Sequence, residues 1–399
     1  MIYKLQSLAG LVLILGLAFL LSTNKKSIKL RVVVWGFALQ LILALIILRT
    51  DIGFLIFEGA KKAVGAVINY SDKGAAFVFG NLVYDQAIGA VIAFRVLPII
   101  IFVSALMGIL SFFGIIQFFV KLMARLMQRT MKISGAESLG AAMLIFMGIE
   151  SSTGLKEYIR KMTRSEIFVY MSAFMSTIAT SVMATYVSFG AQAGHLLAAS
   201  IMSAPAAVAI AKIMIPETEK PDTLGSSKLK LETKPSNIIE SMADGASTGA
   251  HLAIQIGAML LAFMGIIYLI NGLLNYAGLS MDKIFSYIFY PFALALGVPV
   301  KDASVVASLL GTKTVFNEFL AYMKLQPLIQ SHAISARSIV ISTYALCGFA
   351  NFGSIAILIG GLAGIAPEKK NMIASLGIKS LIAGTLASFM TAIIAGWLI

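Results

Sequence analysis

Apolar segments of about 20 residues alternate with short polar stretches along most of this chain, and that pattern restricts the fold more than any other feature. A helix needs about 20 apolar residues to cross the ~30 Å core of a bilayer, whereas an outer-membrane barrel shows alternating segments of about ten. Of the 399 residues, 59% are hydrophobic and 12% are charged, and the mean hydropathy is +0.92. We therefore expect an all-α integral membrane protein.

The chain carries a net charge of +13, from 31 basic and 18 acidic residues. In a membrane protein such an excess indicates topology and not a nucleic-acid partner, because Lys and Arg collect in cytoplasmic loops. Basic residues fall between 25 and 31, after the first span, and at 369–370, before the last. They predict that both connections are cytoplasmic and that both termini lie outside (periplasmic), with the chain crossing the inner or plasma membrane of the cell.

Histidine and cysteine offer little metal chemistry. His195, His251 and His332 are far apart in the sequence, and Cys347 lies alone inside an apolar run. We expect no histidine or thiolate metal centre, no disulfide framework and no cofactor.

The apolar runs predict eight transmembrane helices. The first is expected to be a span and not a cleaved leader, since only Lys4 precedes it and no small-residue cleavage site follows. Arg95, near the outer end of the third, is expected to snorkel toward the interface, with a buried ion pair as the alternative. Residues 51–89 are mixed and are expected at the membrane surface. The predicted spans are 5–22, 32–48, 90–113, 167–189, 196–215, 250–274, 338–360 and 371–399.

Two further segments are expected to be interfacial helices. Residues 115–131 place Lys121, Arg125 and Arg129 at four-residue spacing beside a continuous face of Phe, Leu and Met. That pattern is typical of an amphipathic helix whose basic side meets lipid headgroups. Residues 281–297, rich in Phe and Tyr, are typical of an outer interfacial helix.

Two short segments carry a carboxylate where lipid would exclude it. Glu150 lies within residues 137–159 and Glu318 within residues 302–326. A charge at bilayer depth costs at least ~2.5 kcal/mol, so it usually faces a cavity or a partner. Both segments are too short to cross the membrane twice and predict re-entrant hairpins with polar tips.

Each hairpin is followed by a span that polar residues interrupt. Broken backbone survives at membrane depth only where it is buried in protein or lines water. The order hairpin, broken helix, span occurs at 137–215 and again, inverted, at 302–399, and such inverted repeats are typical of secondary transporters. Small residues that only allow close helix packing are the alternative. The interrupting residues are Ser176, Thr177, Thr180 and Ser181 in the first repeat and Gly348, Asn351, Gly353 and Ser354 in the second.

These segments predict four parts of the chain. Residues 1–114 form an N-terminal scaffold with the third span, and residues 115–215 form the first interfacial helix and the first repeat. Residues 216–238 form a hydrophilic cytoplasmic loop. Residues 239–399 contain a scaffold span, the outer interfacial helix and the second repeat.

The sequence NEFLAY at 317–322 and the sequence GFANFGSI at 348–355 resemble the concentrative nucleoside transporters, of the bacterial nucleoside permease type. Both motifs are long and specific, and the resemblance covers essentially the whole chain. It implies a homotrimer in lipid, with eight spans, two hairpins and two interfacial helices in each protomer. It also implies symport of nucleosides with an ion, by an elevator motion of the domain that carries the hairpins.

The resemblance also implies roles for residues of the second repeat. Glu318, Asn351 and Ser354 match positions that bind ribose hydroxyls, and Phe349 matches one that packs beside the nucleoside. The chemistry agrees, because a carboxylate accepts from two neighbouring hydroxyls and an amide both donates and accepts.

The first hairpin departs from the family pattern, in which a Gln and a Glu at the tip contact the base. This chain has Gly148, Ile149, Glu150 and Ser151 there, without the Gln. With one residue deleted, Glu150 takes the place of the family Glu; without a gap, Ser151 does.

The resemblance implies a coupling ion as well. Met147, Thr177 and Ile178 match positions of a sodium site, but Leu144 stands where the family has an Asn ligand. Sodium needs several oxygens, as hard cations do. A proton needs one titratable group, and Glu150 or Glu318 supplies one. The coupling ion is therefore H+ or Na+, and the sequence favours H+.

Other functions fit less well. An intramembrane enzyme needs an acid–base or metal constellation, and the spans contain none. Lys313 before Glu318 is the nearest approach, which a structural salt bridge or an outer-facing loop explains more simply. A passive channel would be closed by two hairpin tips meeting from opposite sides. Transport of a different small polar solute on the same fold is the remaining alternative.

Overall fold

The computed structural model describes residues 2–85, 91–225 and 237–399, and within them it is helical with no β-strand. The all-α fold predicted from the sequence is confirmed. The α-helices are α1 Ile2–Leu20, α2 Leu30–Arg49, α3 Asp51–Phe79, α4 Leu97–Phe112, α5 Ile115–Met131, α6 Gly135–Met143, α7 Lys156–Lys161, α8 Arg164–Ser176, α9 Thr180–Ser188, α10 Ala193–Met214, α11 Ile238–Asn275, α12 Met281–Ala295, α13 Val300–Val315, α14 Glu318–Gln330, α15 Ala336–Leu346, α16 Phe352–Ile365 and α17 Lys370–Leu398.

Seven helical segments of the described chain are long and apolar enough to cross a membrane, and an eighth is obtained if α12 and α13 count as one segment bent by 118°. The predicted span 338–360 is not among the seven, because it is divided into α15 and α16. Two ranges lie outside the described residues. Residues 86–90 include the predicted start of the third span, and residues 226–236 belong to the predicted hydrophilic loop. The seven segments are α1, α2, Ile92–Phe112, Arg164–Ser188, α10, α11 and Pro367–Leu398.

Burial separates these segments into an inner and an outer set. In Arg164–Ser188, α10 and the closing segment, 94%, 89% and 83% of the most apolar stretch is buried. In α1, α2, α4 and α11 the corresponding shares are between 17% and 33%. The second set therefore presents apolar surface outward, as helices in contact with lipid or with other subunits must.

The mixed segment after α2 is one helix of 29 residues, α3, which packs along α4. Asp72 on α3 accepts from Nε and Nη2 of Arg95, at 2.9 Å for the shorter pair, although the Arg95 side chain is 41% exposed. The Arg95 side chain is therefore partly exposed, as snorkelling requires, and it also forms an ion pair, which is only partly buried. A π-helical turn at Ile92–Val96 carries this arginine.

The two repeats are tied at their bases by buried polar groups. In the first, Lys212 of α10 contacts Glu137 at 2.7 Å and Glu217 at 3.2 Å. The hydroxyl of Ser134, which caps α6, donates to Glu166 of α8 at 2.5 Å. In the second repeat, Asp302 of α13 accepts hydrogen bonds from the hydroxyls of Ser335 and Ser338, at the start of α15, at 2.7 Å and 2.6 Å. Each base thus fixes the first hairpin arm to its broken helix.

The two broken helices meet at their breaks. The backbone N–H of Phe349, between α15 and α16, donates to the carbonyl of Thr177, between α8 and α9, at 3.1 Å. Gly348 allows this approach, because a Cβ there would lie 2.9 Å from the carbonyl oxygen of Met175. Unpaired backbone groups of one break are therefore satisfied by the other.

We expect Gly348→Ala to lower the thermal midpoint of the purified protein. The added methyl group must push the two breaks apart, and overpacking of this kind costs roughly 1–3 kcal/mol. Gly360→Ala in α16 is the control, because a Cβ there meets nothing within 4 Å and Ala favours helix by about 1 kcal/mol. A Gly348→Ala protein that melts with the wild type would contradict the close contact.

Candidate functional site

The carboxylate of Glu318 lies at the tip of the second hairpin, where α14 begins. Asn317 caps this helix, with its Oδ1 accepting from the N–H of Leu320 at 2.9 Å. Glu318 is 6% exposed. A buried carboxylate of this kind needs hydrogen-bond donors, because an unpaired charge in an apolar interior is very costly.

Two side chains from other helices supply those donors. The hydroxyl of Tyr186 on α9 donates to Glu318 Oε1 at 2.9 Å, and Nδ2 of Asn351 donates to Oε2 at 3.0 Å. The structure therefore brings one residue of each repeat's broken helix to the hairpin carboxylate. Hydrogen bonds to an ionised acceptor are about twice as strong as neutral ones.

Asn351 is oriented by its role as the N-cap of α16. Its Oδ1 accepts from the N–H of Ser354 at 2.7 Å, which directs the amide nitrogen toward Glu318. The N-terminus of α16 carries a partial positive charge that favours an anion nearby. Glu318, Asn351 and Ser354, which the sequence proposed as one group, are buried together at this helix start.

Tyr186 was not predicted. Its ring stacks on that of Tyr322 at 4.4 Å, and the Tyr322 hydroxyl donates to the carbonyl of Thr343 at 2.7 Å. A tyrosine within a predicted span was the available signal, because a buried phenol hydroxyl usually has a hydrogen-bond partner.

Phe349 lies beside this group, at the junction of the two breaks. Its ring packs against Phe174 of α8 with the ring centres 5.4 Å apart, and the side chain is half-buried. It therefore offers an apolar ring next to the Glu318 cluster, by which we mean Glu318, Tyr186, Asn351 and Ser354.

The two alternatives for the first hairpin occupy different surroundings. Glu150 is exposed and lines a cavity of about 570 Å³, together with Glu240 and Asp244 of α11. Ser151 is fully buried, and its hydroxyl lies 2.7 Å from that of Tyr170. Only the Glu150 side chain faces open space, and the lining of this cavity contains no member of the Glu318 cluster.

The residues matched to a sodium site gather near the first break. Met147 lines the same cavity, Ile178 is fully buried, and the Thr177 hydroxyl is buried without a hydrogen-bond partner. Leu144 is also fully buried and brings no oxygen. The described residues contain no group of three or more His, Cys, Asp or Glu that could hold a metal ion.

Lys313 forms neither the salt bridge nor the outer-facing loop expected of it. It is 1% exposed on α13, and its Nζ donates to the carbonyl of Ala345, in the last turn of α15, at 2.8 Å. The sequence could not predict this contact, since the acceptor is a backbone group 32 residues away.

Three family models match the chain. The model described as "Na+ dependent nucleoside transporter C-terminus" matches residues 195–396, and its N-terminal counterpart matches residues 9–82. A model described as "Nucleoside recognition" matches residues 93–193.

Named relatives and a solved structure are similar over nearly the full chain. Nucleoside permease NupC of Helicobacter pylori is 39% identical, with 98% of this chain and 97% of that protein covered. Solute carrier family 28 member 3 of Mus musculus is 44% identical over 98% of this chain, which spans only 58% of that relative's length. A structure of CNTnw in an inward-facing substrate-bound state is 38% identical, with a TM-score of 0.93 over 99% of this chain and 98% of that one.

The contact between Tyr186 and Glu318 predicts energetic coupling. Tyr186→Phe and Glu318→Gln should be non-additive in thermal unfolding of the purified protein, because a hydrogen bond to a charged group contributes about 1.5–3 kcal/mol. Tyr170→Phe, which removes a buried hydroxyl bonded to Ser151, should add to Glu318→Gln within about 0.5 kcal/mol. Additivity of the first pair would show that Tyr186 does not hold Glu318.

Proposed function

Because the chain belongs to the concentrative nucleoside transporter family, which comprises carriers and not enzymes, we propose that it imports nucleosides by ion-coupled symport. The observation that carries the proposal is the buried Glu318, held between Tyr186 and Asn351 at the start of a half-helix. Such a group is suited to a neutral solute with hydroxyl donors.

In this proposal the ribose binds at the Glu318 cluster. A carboxylate has about four acceptor positions, and two neighbouring hydroxyls can use those that Tyr186 and Asn351 leave free. Asn351 and Ser354 supply further polar groups to the sugar, and Phe349 packs against the nucleoside. Transport of another small polyhydroxylated solute on the same fold is the competing function.

The base is proposed to contact the first hairpin through Glu150. The exposure of Glu150 supports this role, whereas the Ser151 hydroxyl is already engaged by Tyr170. A carboxylate accepts from the N–H groups of a base but cannot donate, so loss of the family Gln removes a donor and narrows the bases that bind well.

The transported unit is proposed to be the two repeats together with the helices buried against them. The repeats occupy residues 137–215 and 302–399, and their helices α8, α10 and α17 are far more buried than the outer helices. An elevator motion would carry this unit past α1, α2, α4 and α11. Those outer helices would form the scaffold of a homotrimer and its contact with lipid.

The protein is proposed to reside in the inner or plasma membrane with both termini outside. The basic residues at 25–31 and 369–370 support that orientation.

The driving ion is proposed to be the proton. Leu144 removes one oxygen ligand from the matched sodium site, while Glu150 and Glu318 are carboxylates that can carry a proton. Sodium is the second candidate, because the Thr177 hydroxyl is buried without a hydrogen-bond partner and its oxygen is therefore free to bind a cation. The names of the matching family model and of a rat relative, Sodium/nucleoside cotransporter 1, also favour sodium for those proteins.

Glu318→Gln should abolish most uridine uptake at unchanged membrane abundance. Wild-type protein should bind uridine better than 3′-deoxyuridine, because an unpaired buried acceptor costs about 1–3 kcal/mol, and the variant should lose most of that preference. Radiolabelled uridine uptake measures the first effect, and competition for uridine binding to the purified proteins measures the second. Glu157→Gln, at an exposed glutamate on α7, is the control in both. Normal uptake and discrimination by Glu318→Gln would exclude this sugar site.

Proteoliposomes distinguish the two ions. With choline in place of sodium and an inward proton gradient, we expect uridine to accumulate and an uncoupler to stop it. Thr177→Val should then have little effect. Accumulation that requires a sodium gradient at equal pH, and that Thr177→Val abolishes, would show that sodium drives transport.

A further inference from the structure

The second repeat contains a buried cation that the sugar site described above does not use. Lys313 lies in the last turn of α13, five positions before Glu318, and is almost fully buried. An ammonium group held away from water needs compensation by opposite charge and by hydrogen bonds.

Part of this compensation comes from α15. The last carbonyls of a helix lack partners within the helix and carry a partial negative charge. Lys313 donates to one of them, that of Ala345, and so joins the first arm of the hairpin to the end of the broken helix.

The nearest opposite charge along the chain is Glu318, on the next helix of the same hairpin, and its charge acts on that of Lys313. The carboxylate oxygens of Glu318 accept from Tyr186 and Asn351, and in the described part of the chain Lys313 forms no ion pair with Glu318 within 4 Å. The two opposite charges therefore act on each other without a direct hydrogen bond. This separation leaves the carboxylate available to hydroxyl groups of a solute.

The first repeat differs at the matching break. There the Thr177 hydroxyl, just after the end of α8, is buried without a partner, and among the described residues no lysine or arginine side chain donates to the last turn of α8. At its break, the second repeat thus has the ammonium group of Lys313, whereas the first repeat has the Thr177 hydroxyl oxygen without a hydrogen-bond partner.

We propose that Lys313 is a positioning residue: a cation fixed to the chain that balances Glu318 and fastens α13 to α15. Glu318 then stays ionised with the coupling ion absent, so a mobile cation is needed only in the first repeat and, of the two candidate proton carriers, Glu150 is the one that remains. This inference rests on the proposed function for the role of Glu318 as the sugar acceptor.

Chemical rescue tests the proposal. Lys313→Ala removes the equivalent of propylammonium, so adding propylammonium should raise the thermal midpoint of this variant saturably and restore uridine binding. Without it, uridine should bind at least about tenfold more weakly than to the wild type. The controls are 1-propanol, which has the shape without the charge, and Lys324→Ala, which removes a partly exposed lysine paired with Asp282.

Equal effects of propanol and propylammonium, or none from either, would overturn the proposal. The midpoint is measured without nucleoside, so a failure of the proposed function appears separately, as wild-type protein that does not bind uridine. If Lys313→Ala cannot be purified, Lys313→Met is compared with Lys313→Met/Glu318→Gln. The double variant should melt higher, because its carboxylate is gone, and an equal or lower midpoint would also overturn the proposal.

Discussion

A buried carboxylate in a membrane protein sets the requirements that the rest of this structure meets. Glu318 cannot remain in an apolar interior unless donors reach it, and they come from two different broken helices. Tyr186 projects from the second half of one, and Asn351 begins the second half of the other. The carboxylate, both breaks and the hairpin tip are therefore parts of one arrangement.

The breaks are stable because a backbone group exposed by one broken helix forms a hydrogen bond with the other. The Phe349 N–H donates to the Thr177 carbonyl, and Gly348 makes the approach possible. Polar ties at the base of each hairpin, Lys212 with Glu137 in the first and Asp302 with Ser335 in the second, hold the arms while the tips remain polar. Rigid bases with polar tips suit a unit that binds a solute and moves as one body.

The sequence predicted the parts of this arrangement that depend on local pattern. Polarity inside apolar runs located the breaks near Thr177 and Asn351, and the four-residue spacing of basic side chains predicted α5 within the bounds observed. Contacts between segments that are distant in the sequence could not be predicted from local pattern. Tyr186, the Lys313 contact to Ala345 and the Asp72–Arg95 pair each join residues that no local pattern connects. The short length of α6 and the orientation of the Ser151 hydroxyl toward Tyr170 likewise depend on packing between distant segments.

A structure of the purified protein with uridine bound tests the central claim most directly. The account predicts that the ribose hydroxyls lie within hydrogen-bond distance of the Glu318 carboxylate and beside Asn351 and Ser354, with Phe349 against the nucleoside. Uridine found only in the cavity lined by Glu150, Glu240 and Asp244, with Glu318 still held by Tyr186 and Asn351 alone, would contradict it.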